Sequence, residues 1–313
     1  MKTVKIGTSD LVGSQLAYGC WRVAGTWNPA EVTPKNEAAG KNALIAAYEA
    51  GYTLFDHADI YCDGVPERMF GALLQEISGM RERVLIATKC GIRKSDEPSG
   101  APYRYDFSTD YIIRSCEQSL KRLGVERIDI YQLHRPDYLM DPTAVGAAFN
   151  KLWEQGKVRE FGVSNFRPSQ FDALQKGCSR PLIVNQVEIS LAKLTCFEDG
   201  TLDQCLINQI TPMAWSPLAG GQLGGGARRL LPSQELYRPA PIVSELDVLA
   251  RRRGVSRTVV ALAWLLKHPA RIVPIVGSTN PESIREAVKA AELDLTREEW
   301  YRLLEVARGE RLP

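Results

Sequence analysis

No two cysteines in this chain are spaced Cys-x-x-Cys, and the seven that occur (Cys20, Cys62, Cys90, Cys116, Cys178, Cys196, Cys205) are an odd, scattered set. That speaks against a disulfide framework and against a structural zinc site, both of which want paired or close-spaced thiols. Cys20, Cys62 and Cys90 fall beside polar residues discussed below and are expected to line a pocket rim; no metal is expected. Charge of one sign is also missing. The 39 Lys and Arg are interleaved with 37 Asp and Glu for a net +2, too mild for a polyanionic partner, so no nucleic-acid partner is expected. The longest apolar run, Val259 to Leu266, is far short of the ~20 residues that span a bilayer. Met1 to Trp21 has no basic start followed by a continuous apolar segment, so no secretory signal is expected. The chain reads as cytoplasmic, free of membrane, and a monomer or small homo-oligomer. No Gly-x-Gly-x-x-Gly follows the first apolar segment, which counts against a Rossmann domain.

What is present is alternation of strand and helix. Short apolar runs at Leu16–Gly19, Tyr52–Asp56, Val84–Lys89, Ile128–His134, Arg159–Ser164, Leu182–Val187, Pro212–Trp215 and Ile272–Val276 read as eight strands. Most are continuously apolar, the pattern of strands covered on both faces in a parallel sheet. Between them lie segments with helical spacing: Asn36–Ala50, Pro66–Ile77, Thr109–Leu123, Pro142–Gln155, Pro168–Gln175, Gly200–Ile210 and Val243–Arg253. A long loop is expected after Lys89. The length suits one (β/α)8 TIM-barrel domain over residues 1–313, since such a barrel takes roughly 250 residues. Met1–Val12 reads as a β-hairpin plug at the barrel base. Ser256–Lys267 and Arg297–Val306 read as extra helices toward the C-terminus.

Three strands end on chemistry-bearing residues: Asp56, with Tyr61 five positions on, then Lys89, then His134. In a parallel barrel these ends share one face, where barrel chemistry sits. A phenol near pKa 10 is a sluggish acid at neutral pH. A lysine beside it is expected to lower that value, a carboxylate keeps the lysine charged, and an imidazole orients a carbonyl oxygen. Asp56, Tyr61, Lys89 and His134 are therefore the candidate catalytic set, able to protonate a carbonyl. Other strand ends supply Ser164, Asn165 and Gln186 as amide-recognising groups and Trp215 as a flat platform, a set suited to nicotinamide. The glycine-rich stretch after Ser216-Pro217-Leu218, with Gly220 and Gln222, and the turn Gly277-Ser278-Thr279 suit phosphates. Trp21, Arg22, Tyr103, Tyr105 and Arg135 lie in loops at the same face and are candidate substrate contacts. Of the other histidines, His57 is expected to turn away or sit at the rim and His268 to be on the surface.

The chain resembles the aldo-keto reductase family over essentially its whole length. The resemblance rests on Phe55-Asp56 with Tyr61, Thr88-Lys89, Leu133-His134, Gly156-Lys157-Val158-Arg159, Phe161-Gly162-Val163-Ser164-Asn165, Asn185-Gln186-Val187-Glu188, Trp215-Ser216-Pro217-Leu218 and Ile275-Val276-Gly277-Ser278, all in order. It is most similar to a bacterial oxidoreductase branch with Asp-His-Ala-Asp-Ile-Tyr, Lys-Cys-Gly-Ile and His-Arg-Pro-Asp. The resemblance implies reduction of an aldehyde or ketone, or the reverse, with NADPH favoured and NADH possible. It implies cofactor contacts at Gly19, Cys20, Trp21, Asp56, Ser164, Asn165, Gln186, Trp215, Ser216, Pro217, Leu218, Gly220, Gln222, Gly277, Ser278, Thr279, Ser283 and Glu286. Many members carry a Lys or Arg in the segment Gly277–Ser283 and an Asn where Ala287 stands; here no cation follows until Arg285. Two rival functions remain open on the residues: a lyase forming a Schiff base on Lys89, and a non-catalytic barrel that senses nucleotide. Lys89 and Asp56 also have a plain alternative as a structural ion pair.

Overall fold

The computed structural model of the protein describes residues 1–226 and 230–312. Twelve strands are found among them: β1 (Thr3–Lys5), β2 (Val12–Ser14), β3 (Ala17–Gly19), β4 (Leu54–Asp56), β5 (Leu85–Cys90), β6 (Ile92–Arg93), β7 (Arg104–Tyr105), β8 (Ile128–Leu133), β9 (Val158–Ser164), β10 (Leu182–Glu188), β11 (Thr211–Trp215) and β12 (Val273–Val276). Eight of them, β3, β4, β5, β8, β9, β10, β11 and β12, close into a parallel barrel in that order, β12 pairing back onto β3. Helices follow the strands around the outside, so the fold is a (β/α)8 TIM barrel. No helix among the described residues is long and apolar enough to cross a membrane.

Period-two alternation within the closed barrel decides what points inward. Ala17, Leu54, Ala87, Ile130, Val184, Met213 and Val273 form one buried apolar cluster inside it. Two residues further along each strand stand Gly19, Asp56, Lys89, Gln132, Gln186, Trp215 and Ile275. The polar members of that next layer therefore converge at the C-terminal mouth because of strand parity. The opposite end is stoppered by the hairpin of β1 and β2, whose Val4, with Ile6 and Leu11 of the connecting turn, joins the same interior cluster.

The helices keep to the expected segments, with ends shifted by a few residues. The first runs Pro34–Glu49 under a capping box from Thr33 and Asn36, and the helix Thr109–Leu123 stops at Gly124, whose φ of 64° is left-handed. Two differences have physical causes. The helix expected from Val243 begins at Pro239, because prolines that read as breakers fit a helix's first turn, where their missing N–H leaves no bond unmade. The long loop after β5 is folded into the antiparallel pair β6 and β7, too short to show a period in the sequence.

The helix Pro34–Glu49 is pressed against the chain following β3 at Gly40, where a Cβ would collide with the Val23 carbonyl oxygen and the Met69 methyl. Alanine would normally favour a helix over glycine by ~0.5–1 kcal/mol; here overpacking against rigid backbone, typically ~1–3 kcal/mol, outweighs it. Gly40→Ala is expected to lower the urea midpoint, and an unchanged or raised midpoint would show that this contact yields freely.

Candidate active site

Lys89 has no exposed surface, and all its protons are accounted for. Its Nζ donates to both oxygens of Asp56, each at 2.8 Å, and to the His57 carbonyl oxygen at 2.7 Å. Burial alone would strip its proton; the Asp56 carboxylate and the Tyr61 phenol outweigh that and hold its pKa above the ordinary lysine value. Gln186 donates from Nε2 to Asp56 Oδ1 at 2.8 Å, so the carboxylate is fixed from a second side. The Lys89 ammonium lies 5.3 Å from the Tyr61 ring centroid. The Tyr61 and His134 rings meet edge to face, 5.8 Å apart at 80°. The four candidate catalytic side chains are thus one cluster, drawn from β4 with its following loop, β5 and β8.

Two electrostatic features differ from simple expectation or sharpen it. Burial pushes the Tyr61 phenol above its ordinary pKa, Lys89 pulls it down, and Asp56 pushes it up again, leaving a net rise. The expected lowering is therefore overturned: the ammonium is half-neutralised by its own carboxylate partner and cannot offset the loss of water around a phenolate. Burial, then Lys89 and Arg135, drive His134 well below the usual imidazole range, which makes it a neutral hydrogen-bonding group. Its Nδ1 has no partner among the described residues.

The amide-recognising residues are linked to one another. Trp215 Nε1 donates to Asn165 Oδ1 at 2.9 Å; Asn165 Nδ2 donates to the His134 carbonyl oxygen at 3.1 Å and to Ser164 Oγ at 2.8 Å. Ser164 Oγ in turn donates to the Gln186 carbonyl oxygen at 2.8 Å. Asn165 sits in a left-handed conformation with φ of 65°. The Arg135 guanidinium stands 5.6 Å from the Trp215 ring centroid and bears on both Tyr61 and Tyr103 electrostatically. Tyr103 packs edge-on against Tyr105, 6.1 Å away, with 55% of its surface exposed.

A cleft of about 580 Å³ lies among the segments that follow β3, β11 and β12; none of Asp56, Tyr61, Lys89, His134, Ser164, Asn165, Gln186 and Trp215 lines it. Of the expected cofactor and substrate contacts, Trp21, Arg22, Ser216, Pro217, Leu218, Gly220, Gly277, Ser278, Thr279 and Ser283 line it. Arg22 stacks on Trp21, its guanidinium 4.4 Å from the ring centroid. Other expected contacts lie elsewhere. Gly19 is buried in the barrel wall, and the Cys20 thiol faces the core, where burial lifts its pKa well above normal. Cys62 and Cys90 are likewise buried, so no cysteine of the three forms a pocket rim. Gln222 folds back onto the Ala219 and Gln234 carbonyl oxygens, and Glu286 is not among the lining residues. Arg285 is turned away toward the first helix, 3.6 Å from Glu49. No group of residues suited to a metal occurs among those described.

Sequence reasoning missed several residues. Trp27, in the loop after β3, lies 6.1 Å from Tyr61 and 5.6 Å from Trp21. Gln234 ties the segment after β11 to the barrel through Glu188 and Ser216, at 2.8 and 3.0 Å. Gln132 is buried beside Lys89 in the pairing of β5 with β8, and neither of its amide atoms has a hydrogen-bond partner among the described residues. Period two along β8 marks Gln132 as inward-facing; nothing local marks Trp27 or Gln234.

His57 is fully enclosed against Phe70, 4.9 Å between centroids, rather than at a rim, and neither ring nitrogen has a hydrogen-bond partner among the described residues. His268, expected on the surface, is half-buried, edge-on to Phe197 at 5.3 Å. Burial lowers the pKa of His57 to about 3. The unfolded chain regains a value near 6.5, so this contribution to stability is full above that pH and lost as pH falls from 6.5 toward 3, roughly 1.4 kcal/mol per unit. Replacing the ring with leucine (His57→Leu) is expected to flatten the fall of the urea midpoint between pH 6 and pH 4, and an equally steep acid limb would place the sensitivity elsewhere.

The sequence model described as "Aldo/keto reductase family" matches residues 15–308. A 6-dehydroglucose reductase of Novosphingobium aromaticivorans is 40% identical over 315 residues, covering 99% of this chain and 96% of that protein. The oxidoreductase YdhF of Escherichia coli is 40% identical over 305 residues, covering 96% and 95%. Among solved structures, the glycerol dehydrogenase AKR11B4 from Gluconobacter oxydans superposes with a TM-score of 0.85 at 26% identity, covering 98% of this chain and 95% of that one. With the barrel and the Asp-Tyr-Lys-His cluster at its mouth, these matches make the chain a member of the aldo/keto reductase family.

Proposed function

We propose that the protein reduces an aldehyde or ketone to the alcohol, or runs the reverse, with a reduced nicotinamide dinucleotide as hydride donor and Tyr61 as general acid and base. The observation that carries this reading is the enclosed Lys89 ammonium, held by Asp56 and His57 beside the Tyr61 phenol and a neutral His134.

The residues present fit such a cofactor. Gly277 approaches Trp21 so closely that a Cβ would lie 2.9 Å from the indole nitrogen, while beside Gly225 and Gly226 there is open space. Ser278, Thr279, Ser283 and the Arg22 guanidinium face the same cleft and suit phosphates. Ser164, Asn165 and Gln186 suit a carboxamide, and Trp215 a flat ring. When bound, the reduced nicotinamide supplies a hydride to the carbonyl carbon. His134 donates a hydrogen bond to the carbonyl oxygen and orients it. Tyr61 gives that oxygen its proton, Lys89 stabilises the phenolate left behind, and Asp56 keeps Lys89 charged. A phenol with a raised pKa is fully protonated at neutral pH, the form that reduction needs. The Schiff-base alternative is disfavoured because Lys89, held protonated on three acceptors, has no lone pair to attack with.

Tyr61→Phe is expected to lower kcat by roughly 10²–10⁴-fold, the usual worth of a general acid, while the dissociation constant for NADPH changes little. Retention of more than about a tenth of the wild-type kcat rejects the assignment.

Ser278, Thr279 and Ser283, which line the cleft, would hold the cofactor's 2′-phosphate, whereas Arg285 pairs with Glu49. Hydrogen bonds to a charged group contribute ~1.5–3 kcal/mol each, so hydroxyls alone sustain a preference for NADPH. It should be modest in kcat/KM, weaker at high salt because the contact is partly exposed, and unchanged by Arg285→Ala. A preference for NADH at low salt overturns this assignment.

A further inference from the structure

The plugged end of the barrel, opposite the reactive face, carries a second cavity of about 220 Å³, bordered by β1 and Gln15 on one side and by Leu266, Arg271 and Ile272 on the other. None of these residues enters the reductase scheme. Along β1, strand parity turns Val4 into the barrel and leaves Thr3 and Lys5 exposed. Gln15 is fixed at the end of the hairpin, where its N–H donates to the Lys2 carbonyl oxygen at 3.0 Å. The other side is the tight connection between the helix Arg257–Leu266 and β12. There His268 Nδ1 accepts from the Ala270 N–H at 3.2 Å, and the His268 carbonyl oxygen accepts from the Arg271 N–H at 3.0 Å.

That turn holds Arg271 in a left-handed conformation, with φ of 56°. Glycine adopts it without steric cost, whereas a residue with a Cβ stores strain there, and stored strain points to work done by the side chain. Here the side chain borders the cavity. The side chains of Arg271 and Lys5 have no partner among the described residues. Of the neighbouring charges, Lys267 pairs with Asp294 at 2.6 Å, and Lys2 also bears on that carboxylate, so the acid is already shared by other cations. Two cations with a hydroxyl (Thr3) and an amide (Gln15) around a small hollow suit a compact dianion with several acceptor oxygens. A carboxylate brings one charge and leaves one cation unmatched. Leu266 and Ile272 give the hollow an apolar side.

We propose that the plugged end of the barrel is a second ligand site, in which Arg271 and Lys5 hold the phosphate of a small phosphomonoester and Leu266 and Ile272 its carbon stem. The site is independent of the reductase reading. Its ligand touches both the β1–β2 hairpin and the approach to β12, so binding ties the plug to the barrel wall and stabilises the folded chain by mass action.

The test titrates glycerol 3-phosphate, inorganic phosphate, glycerate and glycerol into the full chain by calorimetry at constant ionic strength, and reads the urea midpoint with each. Glycerol 3-phosphate should bind and raise the midpoint, inorganic phosphate should bind more weakly, and glycerate and glycerol should do neither. Arg271→Gly and Lys5→Gln should each weaken the binding by roughly tenfold to hundredfold, the worth of a hydrogen bond to a charged group. Without ligand, Arg271→Gly should hold or raise the midpoint, because the strain leaves with the side chain; should that variant fail to fold, Lys5→Gln decides. Arg22→Ala, in the cleft on the reactive face, should leave the binding unchanged. Binding that survives the substitutions at Arg271 and Lys5 but falls with Arg22→Ala places the phosphate in that cleft and overturns the proposal. Equal affinity for glycerate, or no binding by the wild type, overturns it as well, and equal affinity for inorganic phosphate overturns the place of the carbon stem.

Discussion

A lysine with no exposed surface must be neutralised where it stands, and here that requirement organises the barrel mouth. Withdrawing an ammonium and a carboxylate from water costs several kcal/mol per ion even after relaxation. The cost is offset only if every proton and lone pair finds a partner. Lys89 meets two carboxylate oxygens and a carbonyl, and Asp56 takes a further hydrogen bond from Gln186. Those groups come from β4, β5, β10 and the loop after β4, so the pair is satisfied only when the barrel is closed. Pairing places Asp56 opposite Ala87, which leaves Lys89 one period further on and on the same inward face.

That constraint propagates outward. The loop from His57 to Ile60 is held to β5 by His57 N–H to the Ala87 carbonyl oxygen and Asp59 N–H to the Lys89 carbonyl oxygen, at 2.8 and 3.0 Å. Tyr61 is delivered at the end of that loop, just before the left-handed residues Cys62 and Asp63, with φ of 42° and 52°. Strain of this kind persists when the surroundings over-determine it. Asp63 is tied by an ion pair to Lys94, beyond β5, and Gly64 lies against Arg122. The buried Glu67, which accepts from Thr88 at 2.7 Å and Arg122 at 2.5 Å, anchors the helix that follows. The phenol's position is thus set by its neighbours on both sides.

The fold was legible because closed parallel barrels leave a plain record. Continuous apolar runs such as Ile128–Leu133 are buried throughout, and Gly124 marks the stop of the helix Thr109–Leu123. The plug was legible too, since Val4, Ile6 and Leu11 are apolar at a spacing that suits a hairpin. Placement of Asp56, Lys89 and His134 at strand ends followed from the same pattern. Less was legible in the loops. Trp27 and Gln234 reach the site from irregular segments whose course depends on side-chain bonds to distant or local partners. Gln222 and Arg285, plausible by position, are drawn elsewhere by Gln234 and Glu49.

The sequence by itself determined the order of the barrel strands, the place of the candidate catalytic residues at or just past strand ends and the family, because each of these is written in local spacing or in motifs read in order. Only the tertiary structure decided the sign of the Tyr61 shift, the neutrality of His134 and the direction of Arg285. The physical reason is that these depend on how much water is removed and which charges end up within a few ångströms. Both quantities are set when strands 30 to 130 residues apart in the chain are brought side by side.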